Sequence, residues 1–307
     1  MGGKNHHVVS RGYLRFFADG KRASYIDRRD RSFKRYVGIR DMFVETRFNS
    51  FRSLEGWDDS AESRWEDYEN IDLPLIHKMF NGNREPEGYG AARRLAAVHF
   101  ARSFAVREIQ KQIAVLVPIG VSRKMATDGK ATRAYLDHFG HAPGPGEMER
   151  YIDQQMNLLV KSRRIHVDGM IRTFNAAMKL FGDAHLQLLR VEGPVELLTG
   201  DIPVVPCDAN CFRLGVRDGL VLARAPMTYM PLGRRLGMKL WTEGQPPDGV
   251  LTRVEVQTLN WLMWRAADRF LVCHPSASPS RLLATGLTEA TTLAPLGVDL
   301  EAPRAAS

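Results

Sequence analysis

The sequence predicts an α+β fold with an N-terminal β-hairpin, long central helices, and a C-terminal antiparallel sheet followed by a closing helix. Three observations carry that prediction. Near residue 30, a basic turn separates two short segments of strand-forming residues. Through the middle of the chain, apolar residues recur every three or four positions. From Leu186 the apolar runs become short and are punctuated by Gly or Pro. With 307 residues, 44% of them hydrophobic and 25% charged, the chain can bury a substantial core and has a globular composition. Residues 1–275 read as a single α+β domain, helical over 58–182 and sheet-forming over 186–241. The Ser-, Pro- and Ala-rich stretch 276–307 lacks a period and reads as a disordered tail.

Taken in order, the chain opens on Asn5 to Phe17, which holds His6, His7, Arg11, Arg15, Tyr13, Phe16 and Phe17. So many aromatic and histidine side chains at a terminus read as a docked segment, since free termini are ordinarily polar and loose. Asp19-Gly20 is turn chemistry. Ala23–Asp27 reads as a strand, Asp30-Arg31-Ser32 as the turn, and Lys34–Arg40 as the returning strand. Arg28, Arg29, Arg31, Lys34 and Arg35 crowd that turn. They read first as a solvated tip and second as a basic finger for phosphates.

Residues 58–80 read as a helix with Ser60 as its cap and Glu62, Glu66 and Glu69 along one face. An acidic stripe of that kind is more often the wet side of a helix than a metal site. Leu95, Val98, Ala101, Ala105, Ile109, Ile113 and Leu116 predict one amphipathic helix that carries Arg102 and Arg107 and stops at Pro118. His141–Gly146 is linker-like, and a second helical run from Glu147 to Phe181 breaks register around 161–164. Gln187–Val191, Val195–Leu198, Phe212–Val216 and Leu220–Ala223 read as strands, with Arg217-Asp218-Gly219 as a hairpin turn and Tyr229–Leu240 extended. Val256, Leu259, Met263, Ala266 and Phe270 predict a last helix ending near Phe270.

Bulk properties exclude several classes. No apolar run approaches the roughly 20 residues needed to span a bilayer. The first residues lack a secretory apolar region, and His6 breaks the myristoylation pattern. No membrane partner is expected. Three cysteines (Cys207, Cys211 and Cys273) are too few for a disulfide scaffold and suit a reducing cytoplasm. The spacing of Cys207 and Cys211 misses the common zinc spacing, and buried thiols are the default reading. Phosphate loops, Gly-x-Ser-x-Gly elbows and His-Glu-x-x-His motifs are absent. The net charge of +8 raises nonspecific attraction to nucleic acid or another polyanion, although the excess is spread through the chain without a decisive patch.

Three collinear blocks carry a family resemblance. His7-Val8-Val9-Ser10 runs into Tyr13-Leu14-Arg15 and Phe17. Thr199-Gly200-Asp201-Ile202-Pro203-Val204 follows far downstream, and Pro231-Leu232 and Asn260 come after it. The chain thereby resembles the bacterial family catalogued as domain of unknown function 4238, which has an N-terminal His-Tyr-Val-Pro motif and a Thr-Ser-Asp-x-Pro-Val block. It departs from that pattern at Val8, Ser10 and Gly200. The resemblance implies an α+β domain in a bacterial or phage setting and assigns no reaction.

His7 and Asp201 are the leading site candidates, as a general base with its carboxylate partner or as two ligands of a divalent metal. Asn260 would hold the imidazole tautomer or a substrate, and Arg15 and Arg102 would clamp an anion. The structural alternatives are a hydrogen-bonded plug for His7 and a turn cap for Asp201. The function expected is a metal-dependent phosphodiesterase or nuclease acting on nucleic acid. The alternative is a non-catalytic protein of a phage-defence or mobile-element cassette that binds nucleic acid or a partner.

Overall fold

A computed structural model describes residues 5–30, 32–53, 56–112, 129–161, 164–208, 213–215, 218–279 and 282. Arg31, the helix stop at Pro118, Cys211, Phe212, Val216, Arg217 and the tail beyond Leu282 lie outside the described residues.

Strand-forming sequence at the N-terminus produces β1 (Asn5–His7), the hairpin β2 (Arg22–Asp27) and β3 (Ser32–Gly38), and three short strands, β4 (Val44–Thr46), β5 (Phe51–Ser53) and β6 (Gly56–Asp58). A four-residue helix, α1 (Arg11–Leu14), lies between β1 and β2. The helical middle comprises α2 (Ser60–Phe80), α3 (Pro86–Ala101), α4 (104–112), α5 (Gly129–Phe139), α6 (Glu147–Lys161) and α7 (Arg164–Asp183). The period then shortens into β7 (His185–Val191), β8 (Thr199–Gly200), β9 (Val205–Cys207), β10 (Met227–Gly233), β11 (Leu236–Trp241) and β12 (Gly249–Leu251). Helix α8 (Arg253–Ala266) and strand β13 (Phe270–Cys273) follow.

Five strands form one sheet in the order β12-β7-β11-β10-β9, antiparallel except for the β12–β7 pair. Alternation along β7 sends Leu186 and Leu188 into a core shared with α2, α3 and α7. Leu189 and Val191 point into a second core with α8. Both faces of the strand therefore carry buried apolar residues, which is why Leu188 and Leu189 stand side by side in it. The second sheet has the order β3-β2-β13-β8 and joins the N-terminal hairpin to the end of the chain.

Several sequence expectations need correction. The predicted helix through Leu95 and Ile109 is two helices. Arg102 caps α3, and Ser103 starts α4 by accepting from the Val106 N–H at 3.3 Å. Val195–Leu198 forms no strand, and Leu220–Ala223 gives way to a 3-10 turn at Leu222–Arg224. Phe270 opens β13 instead of closing the last helix. Asp59, not Ser60, is the cap residue of α2. At positions 277 and 282 the chain still packs, for Leu282 is buried in the second core and Ala277 lies against it.

Candidate functional site

The two histidines of β1 face opposite ways because successive side chains alternate across a strand. His6 pairs with Glu45, and His7 with Val44, in the β1–β4 ladder. His6 is fully buried. Its Nδ1 accepts the Asn49 backbone N–H at 3.0 Å, which puts the ring proton on Nε2, 3.4 Å from Ser50 Oγ. Ser50 in turn donates to Asp59, and the Asn49 amide to Glu62. The residue that plugs the N-terminus into the fold is therefore His6.

His7 is half-buried and lines a cleft of about 830 Å³. Its Nδ1–H donates to the Met42 carbonyl at 3.2 Å, so the lone pair of the neutral ring sits on Nε2. Burial lowers the His7 pKa, and the charges of Arg11 and Arg102 lower it further against the Met42 bond and the Glu62 carboxylate.

A buried polar chain fixes this wall. Ser10 caps α1, accepting from the Tyr13 N–H at 3.2 Å, and donates to Glu69 Oε2 at 2.6 Å. Glu69 Oε1 accepts from Arg102 at 2.8 Å, and the same guanidinium donates to the His7 carbonyl. Arg102 reaches both because it sits at the break between α3 and α4. Burial pushes the Glu69 carboxyl up, opposed chiefly by Arg102. Gly12 lets α1 seat on α2, since a Cβ there would run into the Leu73 side chain. The buried Trp65 indole N–H and Arg102 Nε–H have no acceptor among the described residues, and both side chains line the cleft. At the rim stand exposed Arg11, Arg15 and Arg40, with Asp41 and Glu66 among them.

Of the residues named from sequence, the cleft brings together His7, Arg15 and Arg102. Asp201 and Asn260 are elsewhere. Asp201 is 1% exposed, and its oxygens accept the backbone N–H groups of Asp268, Arg269 and Phe270 at 2.8, 2.6 and 2.9 Å. Asn260 is fully buried; it accepts from Leu198 N–H at 3.0 Å and donates to the Glu196 and Leu282 carbonyls at 2.9 Å each. His7 and Asp201 therefore share neither a hydrogen bond nor a metal-ligand set. Among the described residues no three His, Cys, Asp or Glu side chains are grouped to hold a metal ion. Cys207 and Cys273 are buried, and burial pushes the Cys273 thiol up to about 12.

Sequence reading missed Arg11, Arg40 and Trp65 as lining residues. The first two carried a signal in the basic spacing around His7 and at the end of the hairpin. The third read only as an apolar helix position. Glu62, Glu66 and Glu69 were legible as one helix face, and that face is a wall of the cleft. The three motif blocks meet at Tyr13. Its buried hydroxyl donates to the Pro231 carbonyl at 2.6 Å and lies 2.8 Å from Thr199 Oγ1, which ties the blocks together.

Among the described residues, no helix is long and apolar enough to cross a membrane. A family model described as "Protein of unknown function (DUF4238)" matches residues 5–277. No curated protein and no solved structure gives a match.

Proposed function

We propose, for a chain that belongs to the DUF4238 family, a phosphodiesterase activity on nucleic acid centred on the His7 cleft. The observation that carries the reading is the state of His7: a half-buried neutral imidazole, its tautomer fixed by Met42, with cations around it. In that role Nε2 takes a proton from water as the water oxygen bonds to phosphorus, and the opposite P–O bond breaks with its electron pair passing to the leaving oxygen, which takes a proton from solvent. Arg11, Arg15 and Arg40 hold the non-bridging oxygens, and Arg102 holds the wall that carries His7. The metal-dependent form of the reading keeps His7 alone of its two ligands in the cleft, so no step is assigned to a metal.

One observation favours a non-catalytic binding protein as the second reading. Asp201 and Asn260, two of the three residues given catalytic roles from sequence, are closed hydrogen-bonded ties.

The test is hydrolysis of bis(p-nitrophenyl) phosphate and of oligonucleotides across pH. Because the His7 pKa is lowered, kcat/KM should rise with pH and level off with a midpoint below the ordinary histidine value of about 6.5. Arg11→Ala and Arg15→Ala should each raise KM about five- to tenfold, the loss of one charged contact of about 1–1.4 kcal/mol. Absence of hydrolysis at every pH, with oligonucleotide binding retained, would select the second reading.

A further inference from the structure

The charges that line the cleft cancel. Four arginines, Arg11, Arg15, Arg40 and Arg102, share the lining with four carboxylates, Asp41, Glu62, Glu66 and Glu69, and His7 is neutral. Some of these charges are already engaged. Arg102 and Glu69 pair with each other at 2.8 Å in the wall, and buried Glu62 accepts from the Asn49 amide. The side chains of Arg11, Arg15, Arg40, Asp41 and Glu66 are exposed and, among the described residues, make no hydrogen bond or ion pair. Arg11 and Arg15 stand four residues apart on α1 and the 3-10 turn after it, and Arg40 lies in the 3-10 turn Ile39–Asp41. Glu62, Glu66 and Glu69 follow at spacings of four and three on α2, so they share one face of that helix. The cations of the rim therefore come from the N-terminal segment, and the carboxylates chiefly from α2.

This balance limits what the cleft admits. A strand threaded through it would bring one phosphate per nucleotide. Each phosphate after the first would lie against carboxylates, and that repulsion grows as water is excluded. A single phosphodiester avoids the conflict. Its non-bridging oxygens take the arginines, and the base beside it supplies donors to the carboxylates, which when ionised only accept. Adenine, cytosine and guanine carry an exocyclic amino group, and thymine does not. The volume of about 830 Å³ is in the range of sites that enclose one small ligand.

We propose that the cleft takes a nucleotide-sized phosphodiester, either a free dinucleotide or the terminal linkage of a strand. The phosphate sits on Arg11, Arg15 and Arg40, and an amino-bearing base sits on Glu66 and Asp41. This rests on the phosphodiester reading of the His7 cleft and specifies its substrate class. Hydrolysis joins water to phosphorus and releases one nucleoside hydroxyl, whose proton comes from solvent. A circular strand has no end to offer and is excluded.

The experiment compares four ligands by calorimetric titration and by product analysis: a guanine dinucleotide, a thymine dinucleotide, a linear single-stranded oligonucleotide, and the same oligonucleotide closed into a circle. The guanine dinucleotide should bind about tenfold more tightly than the thymine one. The linear strand should be shortened from an end, and the circle should bind at least about tenfold more weakly than the linear form and stay uncut. The double variant Asp41→Asn/Glu66→Gln changes two exposed, unpartnered side chains, so the fold survives. It should lose the preference for guanine and gain affinity for the circle, and an unfolded protein cannot produce that gain. A circle bound and cut like the linear strand, or a double variant with both affinities unchanged, would overturn the proposal. Hydrolysis of bis(p-nitrophenyl) phosphate separates it from the cleft chemistry. Hydrolysis together with a cut circle sinks the size selection and leaves the chemistry. Preferred binding of the guanine dinucleotide over the circle, with no diester hydrolysed, does the reverse. A dinucleotide neither bound nor hydrolysed overturns both.

Discussion

Asp201→Ala should lower the free energy of unfolding by about 3–5 kcal/mol. The carboxylate is buried and accepts from three consecutive backbone N–H groups, on Asp268, Arg269 and Phe270. Truncation leaves those donors facing a cavity. Each orphaned buried donor costs about 1–3 kcal/mol, so the gross loss exceeds the net figure. Part is offset because burying the carboxylate is itself unfavourable, as its raised pKa reflects. Asp201→Asn should fall between. Its carbonyl can take the place of Oδ2 and keep the Arg269 and Phe270 bonds, but its NH₂ then confronts the Asp268 N–H. Urea denaturation of both variants is the measurement. A loss under about 1 kcal/mol for alanine would mean that water replaces the carboxylate, and the tie would not be structural.

That expectation bears on how motifs are read. Thr199-Gly200-Asp201 looked like a site because a carboxylate beside Gly and Pro is common in both turns and active sites. What decides between them is where three distant N–H groups lie, and local sequence does not encode that. Gly200 is legible only in hindsight for the same reason. A Cβ there would stand 2.8 Å from the Phe270 carbonyl, across a strand pairing 70 residues away in sequence. Asn260 is a parallel case. It satisfies the backbone of Leu198 and Glu196, so that stretch needs no strand partner there, and an apolar run read as a strand becomes an irregular buried segment.

The periodic parts were legible because their signal is local. Helix α2, the hairpin of β2 and β3, and strand β7 follow from spacing alone. The three-residue strands β1, β4, β5 and β6 are too short to carry a period, and they shape the ground around His6 and His7. The break at Arg102 was hidden by apolar spacing that runs through it. Ser103 was the available cue, since serine competes for helix-start hydrogen bonds. The cleft itself was half-legible: His7, Arg15 and Arg102 could be named, whereas Arg40 and Trp65 reach it only through tertiary packing.

His7→Gln should reduce kcat on a phosphodiester about 10²–10⁴-fold, the usual contribution of a positioned general base. Glutamine can still donate to the Met42 carbonyl, so the strand pairing of β1 and the cleft wall should persist. It has no group that accepts a proton near neutral pH, so KM should stay nearly constant while kcat falls. The neighbouring residue supplies the control. His6→Gln alters a fully buried ring whose Nδ1 accepts a backbone N–H, and it should cost about 1–3 kcal/mol of stability through that orphaned donor. Strand alternation thus predicts opposite signatures for adjacent histidines, with stability lost at 6 and turnover lost at 7. Thermal melting and steady-state kinetics on both variants would read this out. If both lose stability alike and activity follows only the folded fraction, His7 is a second structural anchor and the general-base role fails. If His7→Gln melts like the wild type but is inactive, and the acid limb seen in the wild type goes with it, the proton acceptor is His7 Nε2.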